Sequence, residues 1–448
     1  MTTHKIKKGF DLPLAGCPER VLADAAEPAH VALETFEFAG IKPKVLVKEG
    51  DLVETGQPVY LNKLDRDIVW CAPASGTVKS IEFGPRRYLT RVVIEVGADK
   101  PHAALPKLPQ GAGRADVVKA IKGAGLWPML KQRPLGKMPS GDAAPAAIFV
   151  NGMDTAPLAG DPCFAVQGRK DDLQAGVDVL KQLTAGNVYV TLRAGGDHQA
   201  DVRSLGGVEV HDFSGPHPSG LVGTHIHEIQ PLKGAETAFA ISLADVARMG
   251  EWARAGSYPT HTVVAVSGSE APSKQYFRVR QGASLAVLTG GSALTDDVRC
   301  INGDVLHGYV AEPDGYLAFG NRTLTLMQEG TDRRDLFGWA IPQMGKKLSN
   351  HAAVNFGLKK REYTPDARLH GGHRPIVNIG SWEKVMPLDI LPTFLVRAIQ
   401  AKDIEEAVKL GLLEVTEEDV ALCTFVDPCK IDVGEVIRQG LDMYEEES

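Results

Sequence analysis

Residues 44–60 read "KVLVKEGDLVETGQPVY", with apolar and polar positions alternating around Gly50-Asp51 and Gly56-Gln57. A period of two broken by turn residues predicts short strands joined by tight turns. "WCAPASGTVKSIEF" and "RVVIEVG" continue the pattern, so residues 30–97 form a compact β-rich unit. A Pro-, Ala- and Gly-rich stretch, "ADKPHAALPKLPQGAGR", then marks a domain boundary. Beyond it the period changes. "ADVVKAIKGAG" predicts a short amphipathic helix, "AAIFVNG" and "NVYVTLRAGG" are buried strands, and "KDDLQAGVDVLKQLTAG" is a helix between them. Strand, helix, strand is the sign of an α/β layer with parallel pairing.

A second β-rich run starts at "THTVVAVSGSEAPSKQYFRVRQ" and closes with "DGYLAFGNRTLTLMQE". The remainder is helical and loop-rich. "DIEEAVKLGLLEVTEEDVALC" holds two short amphipathic helices with Thr416 as N-cap of the second, and the acidic end "MYEEES" is expected to fray. The expected fold class is a multidomain α+β and α/β chain. Its parts are a β-rich domain over 1–100, an α/β domain over 114–255, a second β domain over 257–329 and a helical domain over 330–448. No period of 20–50 residues indicates a solenoid.

Charge and composition narrow the function. With 49 basic and 56 acidic residues the net charge is −7, and no predicted domain is strongly basic, which argues against nucleic-acid binding. No apolar run approaches the roughly 20 residues needed to span a bilayer, and "MTTHKIKKGFDLPLAG" lacks the apolar core of a signal peptide. The expectation is a soluble, cytoplasmic chain that contacts a membrane only through partners. Six scattered cysteines, none in C-x-x-C spacing, argue against a disulfide framework, a cysteine zinc ribbon or an iron–sulfur cluster.

Three segments are candidates for chemistry. The span "YLNKLDRDIVW" has the outline of a carrier hairpin, but its single lysine, Lys63, falls early and has no methionine neighbours, so a domain without a carrier lysine is expected. "GAGLWPMLKQRPLGKMP" offers Gly123 and Gly125 but places Pro128, which has no N–H, at the third glycine position of a phosphate loop. Trp127, Pro128, Met129 and Leu130, flanked by Lys131, Arg133 and Lys137, suit a flat uncharged ring better than a phosphate. "VHDFSGPHPSGLVGTHIHEI" contains His211, His217, His225 and His227; His225 and His227 on one strand face, with His217, would make a three-imidazole set. Its glycines, prolines and lack of an acidic or cysteine ligand favour hydrogen-bonded imidazoles instead, so no metal is expected. Neither a G-x-S-x-G elbow nor an H-E-x-x-H helix is present, and no catalytic or cofactor-binding residues are assigned.

Taken together, "IKKGFDLPLAG", "LVKEGDLV", "APASGTV", "FSGPHPSGLVGTHIH", "MPLDILPTFLVRA" and "ALCTFVDPCK" closely resemble the A-type subunits of the bacterial sodium-translocating NADH:quinone reductases, from residue 5 to about residue 440. The resemblance implies a barrel-sandwich (biotinyl/lipoyl-like) domain, a Rossmann-like domain and a β-grasp ligand-binding domain over 257–329. It implies a peripheral subunit on the cytoplasmic face of the bacterial inner membrane, in a six-subunit complex that couples NADH oxidation and ubiquinone reduction to sodium export. Flavins and iron–sulfur centres are then held by partner subunits, and the isolated chain is not catalytic. Cousin subunits bind FMN and clusters; here "GAGLWPML" fills the flavin loop and only Cys423 and Cys429 remain of the cluster region, with Asp427 where a further cysteine often stands. A quinone-binding role would draw on Trp127, Met129, Lys131 and Arg133. The alternative is a cofactor-free scaffold that binds no quinone.

Overall fold

The structure is a computed structural model that describes residues 2–447 apart from 100, 110, 112, 291–296, 313, 332–361, 370–371 and 378. The stretch 332–361 of the expected helical domain therefore lies outside the described residues. In chain order the first strands are β1 (Thr2–Lys5), β2 (Glu19–Asp24), β3 (His30–Glu34), β4 (Pro43–Val45), β5 (Leu52–Val53), β6 (Pro58–Asn62), β7 (Asp65–Cys71), β8 (Gly76–Phe83) and β9 (Leu89–Val96). The middle of the chain forms α1 (Arg114–Gly123), β10 (Lys131–Arg133), β11 (Ala147–Asn151), α2 (Pro162–Ala165), α3 (Lys170–Leu180), β12 (Val188–Arg193), α4 (Ala200–Arg203), β13 (Glu209–Ser214), α5 (Val222–Ile229), β14 (Ala238–Ser242) and α6 (Leu243–Ala255). Then come β15 (His261–Ser267), β16 (Gln275–Arg280), β17 (Val298–Asn302), β18 (Tyr309–Val310) and β19 (Thr323–Gln328). The C-terminal helices are α7 (Ser381–Val385), α8 (Pro392–Gln400), α9 (Ile404–Lys409), α10 (Glu417–Val426) and α11 (Val433–Glu447).

The largest sheet runs β1-β13-β12-β11-β14-β10, parallel throughout except for β10. Its central strands are continuous apolar runs because helices cover both faces. Ile148 and Val150 of β11 pack with α3 and α6, while Ala147 and Phe149 face Ile226 of α5. Helices α3 and α6 approach at glycine: a Cβ on Gly250 would lie 1.7 Å from the Asp172 carbonyl oxygen, and one on Gly176 2.1 Å from that of Val246. The strand order reverses between β11 and β14, and in open α/β sheets ligands collect outside the carboxyl ends of strands at such a point.

The N-terminal segment departs from the linear domain boundaries. β1 pairs in parallel with β13, and β2 in parallel with β16, so the first 24 residues complete two later sheets. The two-layer sandwich, β3-β9-β8-β5 on β4-β6-β7, begins at β3. Lys63 and Leu64 form the exposed two-residue turn between β6 and β7, so Lys63 does stand at a hairpin tip, which its sequence spacing had argued against. The second β unit is the sheet β18-β17-β19-β15-β16-β2 with its own core around Val264, Leu285 and Leu324.

The C-terminal helices share a separate core. Thr416 caps α10, where Asp419 accepts the Thr416 backbone N–H at 2.9 Å and closes a capping box. The acidic end does not fray as expected: α11 continues to Glu447, because the Lys137 ammonium holds Asp442 at 2.8 Å and Glu445 at 2.6 Å. A second tie lies deeper. Arg133, on edge strand β10, donates to Asp419 at 2.6 Å and to Glu418 at 2.8 Å; Arg133 and Asp419 are buried and Glu418 is half-buried. Burial alone would raise the Glu418 carboxyl, but the charges of Arg133 and Lys131 outweigh it and hold it down at about 2. This pairing therefore stabilises fully above the ordinary value of 4.5 and is lost as pH falls through the lowered one. Arg133→Ala leaves Asp419, 2% exposed, without its counter-charge. Urea unfolding should then show a loss of about 3–5 kcal/mol at neutral pH, with the deficit shrinking as Glu418 is protonated.

Candidate functional site

Where the sandwich meets the second β unit, aromatic residues from several segments close on one small cavity. β3 and the turn after it supply Ala32, Leu33, Glu37 and Phe38; β6 and β7 supply Tyr60 and Trp70; the segment after α6 supplies Tyr258; Gln281 follows β16 and Phe319 precedes β19. Tyr60 stacks on Trp70 at 4.7 Å and 18°, and Phe38 meets Trp70 edge-on at 5.0 Å and Phe319 at 5.7 Å. The sequence folds this way because β6 and β7 turn Tyr60 and Trp70, registered partners, to the same inner face.

Among the described residues, two polar atoms of side chains lining this cavity have no partner. Trp70 is 1% exposed, and its indole N–H donates to nothing. Gln281 is 3% exposed; its amide N–H reaches the Ala318 carbonyl at 3.3 Å, but its Oε1 is unmatched. A buried donor left unpaired costs about 1–3 kcal/mol. The space is about 20 Å³, enough for one water. A ring would enter only as Phe38 and Phe319 part. The mouth is strapped by Glu37, whose carboxylate accepts the backbone N–H groups of Phe319 at 2.7 Å and Gly320 at 3.0 Å. Burial pushes this carboxyl up to about 7, against the pull of those two N–H groups.

The residues singled out by sequence lie elsewhere. Trp127 is fully buried, donates its N–H to the Pro139 carbonyl at 2.8 Å, meets Phe239 edge-on at 6.1 Å and has the Lys122 ammonium 5.6 Å over its face. Met129 is core, Lys131 is exposed and Arg133 is committed to Glu418 and Asp419. The four line no common slot, and none lines the aromatic cavity. Gly125, just before them, does approach the cavity: at φ 71° it sits so close to the cavity residue Cys71 that a Cβ would be 2.8 Å from the thiol sulfur.

The histidine segment starts on β13, which carries His211, and continues through a loop into α5; His225 and His227 lie on that helix and not on a strand, so they point to different sides. His225 contacts the Thr191 hydroxyl and the Ser219 carbonyl at 3.0 Å each, and burial drops its pKa to about 3. His227 leans on Glu414 at 3.4 Å, His211 shares a 3.1 Å contact with His4, and His217 meets Thr155 at 3.1 Å. The rings are engaged separately, and among the described residues no group of three or more His, Cys, Asp or Glu is placed to hold a metal ion.

Comparison with known proteins is consistent along the whole chain. Residues 4–97 match the family "NqrA N-terminal barrel-sandwich hybrid domain", 112–258 "NqrA second alpha/beta domain" and 263–312 "NQRA C-terminal domain". The A-type subunit of the Na(+)-translocating NADH-quinone reductase of Neisseria meningitidis is 39% identical, that of Actinobacillus succinogenes 40% and that of Yersinia pestis 39%, each over 99% of both chains. Among solved structures, an NAD+-reducing [NiFe]-hydrogenase aligns with a TM-score of 0.34 at 10% identity, over 48% of this chain and 46% of that one, too low to carry an argument.

The Glu37 strap is testable through pH. Because its folded carboxyl binds a proton more tightly than the ordinary 4.5, its contribution to stability falls as pH rises from there to about 7. Glu37→Gln should remove that slope: urea unfolding will show the variant gaining on the wild type across this window, and parallel curves would mean the carboxyl titrates normally.

Proposed function

This chain belongs to the NqrA family, the A-type subunits of Na(+)-translocating NADH-quinone reductases, and from that membership we propose that it is the peripheral subunit of a sodium-pumping NADH:quinone reductase that receives a quinone ring. In this reading it sits in a six-subunit complex at the cytoplasmic face of the bacterial inner membrane. Partner subunits carry the flavins and iron–sulfur centres and provide the membrane contact, and the isolated chain performs no turnover. No helix among the described residues is long and apolar enough to cross a membrane, which fits a peripheral position. The strand order of the α/β sheet supports a Rossmann-like ancestry, and a β-grasp origin is the reading we adopt for the second β unit.

The observation that carries the quinone reading is the unpaired Trp70 indole N–H, buried in the aromatic cavity that the unpaired Gln281 Oε1 also serves. A quinone carbonyl accepts the one; the hydroxyl of the reduced quinol donates to the other. Aromatic walls suit the flat ring. Trp127, Met129, Lys131 and Arg133 then contribute from behind, by holding the loop around Gly125 and the edge strand after it rather than by touching the ring. Their internal partners also favour the second reading, a scaffold of the complex that binds no quinone.

Equilibrium dialysis of the full chain with ubiquinone-1 separates the two. One saturable site is expected, weakened about 5–10-fold by Trp70→Phe, since one hydrogen bond is worth about 1 kcal/mol. Trp70→Phe removes an unpaired donor but also leaves space beside Tyr60 and Phe38, so a loss of stability should accompany it, and a circular-dichroism spectrum like the wild type's shows that the fold is kept. Saturable binding untouched by the substitution would move the site, and no saturable binding would leave the scaffold.

A further inference from the structure

The hairpin of β8 and β9 runs past the segments beside it. Among the described residues, the backbone flanking β8 stops pairing at Val78, and the backbone flanking β9 stops at Thr90. The turn beyond closes on itself: the Gly84 N–H donates to the Tyr88 carbonyl at 2.8 Å, and the Tyr88 N–H to that of Pro85 at 3.2 Å. Phe83, Pro85, Arg86, Arg87 and Tyr88 are all exposed, Phe83 by 52% and Tyr88 by 40%.

We propose that this tip is a docking finger, entering a recess on another subunit of the complex that is lined with carboxylates and floored by apolar side chains. Such docking requires only that the chain is one subunit of an assembly, as its relatives' names say, and not that it takes a quinone. Charge points to the acidic lining. Arg91, at the base of the hairpin, takes up three nearby carboxylates, Glu34 at 2.7 Å, Glu312 at 3.4 Å and Glu82 at 3.5 Å. Arg86 and Arg87 have no ion-pair partner among the described residues, so two guanidinium groups stand free at the tip.

The backbone agrees. Arg86 and Arg87 have φ of 55° and 56°, a left-handed conformation that strains any residue with a Cβ. A hairpin that only had to reverse would carry Asn-Gly at such positions. Two arginines there strain the turn and gain nothing within the chain. Apolar surface flanks the charges. Besides Phe83 and Tyr88, Phe36 is 52% exposed; it follows Thr35, whose hydroxyl donates to the Leu89 carbonyl, and meets Tyr309 edge-on at 4.7 Å. Arginine and aromatic side chains are the ones that carry most protein–protein binding energy. A lipid surface suits the tip less, because two cations are few and the chain's net charge of −7 opposes anionic headgroups.

Subunit exchange tests the docking. Complexes assembled with wild-type or variant chain are chased with excess free wild-type chain, and release is followed by native mass spectrometry. Arg86→Asn with Arg87→Gly removes both charges and relieves the turn. Release should become about tenfold faster, through loss of charge-assisted contacts, while the Tm of the free chain does not fall. Arg86→Gln with Arg87→Gln, which leaves the strain in place, should release as fast. Equal release rates for the wild type and both variants overturn the proposal. So does binding of the free wild-type chain, but of neither variant, to phosphatidylglycerol vesicles, which would assign the tip to a lipid surface.

Discussion

A guanidinium taken out of water must find its counter-charges in the protein, and Arg133 finds them only across the gap between the parallel sheet and the C-terminal helices. That requirement fixes more than one contact. Asp419 Oδ2, which meets Arg133, is also the atom that closes the N-terminus of α10, so ion pair and helix cap share one oxygen. The other oxygen of Asp419 faces Gly223, where a Cβ would come within 2.3 Å, so α5 must pass at glycine. Glu418, held by the same arginine, forms a wall of a polar cavity at the carboxyl end of β11. One buried cation therefore sets the position of α10, its start and the shape of the space beside it.

The two cavities divide the chemistry of the molecule. One is aromatic, tight and strapped by Glu37; the other is wider and rimmed by carboxylates. They lie on different seams: the first between the sandwich and the second β unit, the second where that unit and the C-terminal helices meet the α/β sheet. Both hold polar atoms that the protein itself leaves unmatched, Trp70 and Gln281 in one and His217 in the other. Burying such atoms is costly, and a fold that only needed to pack would have replaced them with apolar side chains.

Much of the architecture could be read from residue patterns. The parallel strands β11 and β12 were visible as uninterrupted apolar runs, α3 as a helical period, and α10 as Thr416 followed by three acidic residues. The histidine segment misled because "HIH" has the same two-residue spacing in either element; the backbone turns helical there, and only packing against β11 decides it. Trp127 drew attention through its proline and basic neighbours, yet Arg133 and Lys137 serve ion pairs within the chain and Lys131 faces solvent. Trp70 stood unremarked inside an apolar strand. Nothing local to it announces that Tyr258, Gln281 and Phe319 arrive at the same place, since the site is assembled from segments far apart along the chain.

The pairing of β1 with β13 and of β2 with β16 has a temporal side. A ribosome adds roughly 5–20 residues per second, so β2 leaves the exit tunnel well over ten seconds ahead of its partner strand. During that interval the leading end of the chain has nowhere to dock. The sandwich that follows it can close on its own, but the edges of β13 and β16 must each take up a strand made long before, so building both later sheets includes the recapture of residues synthesised far earlier.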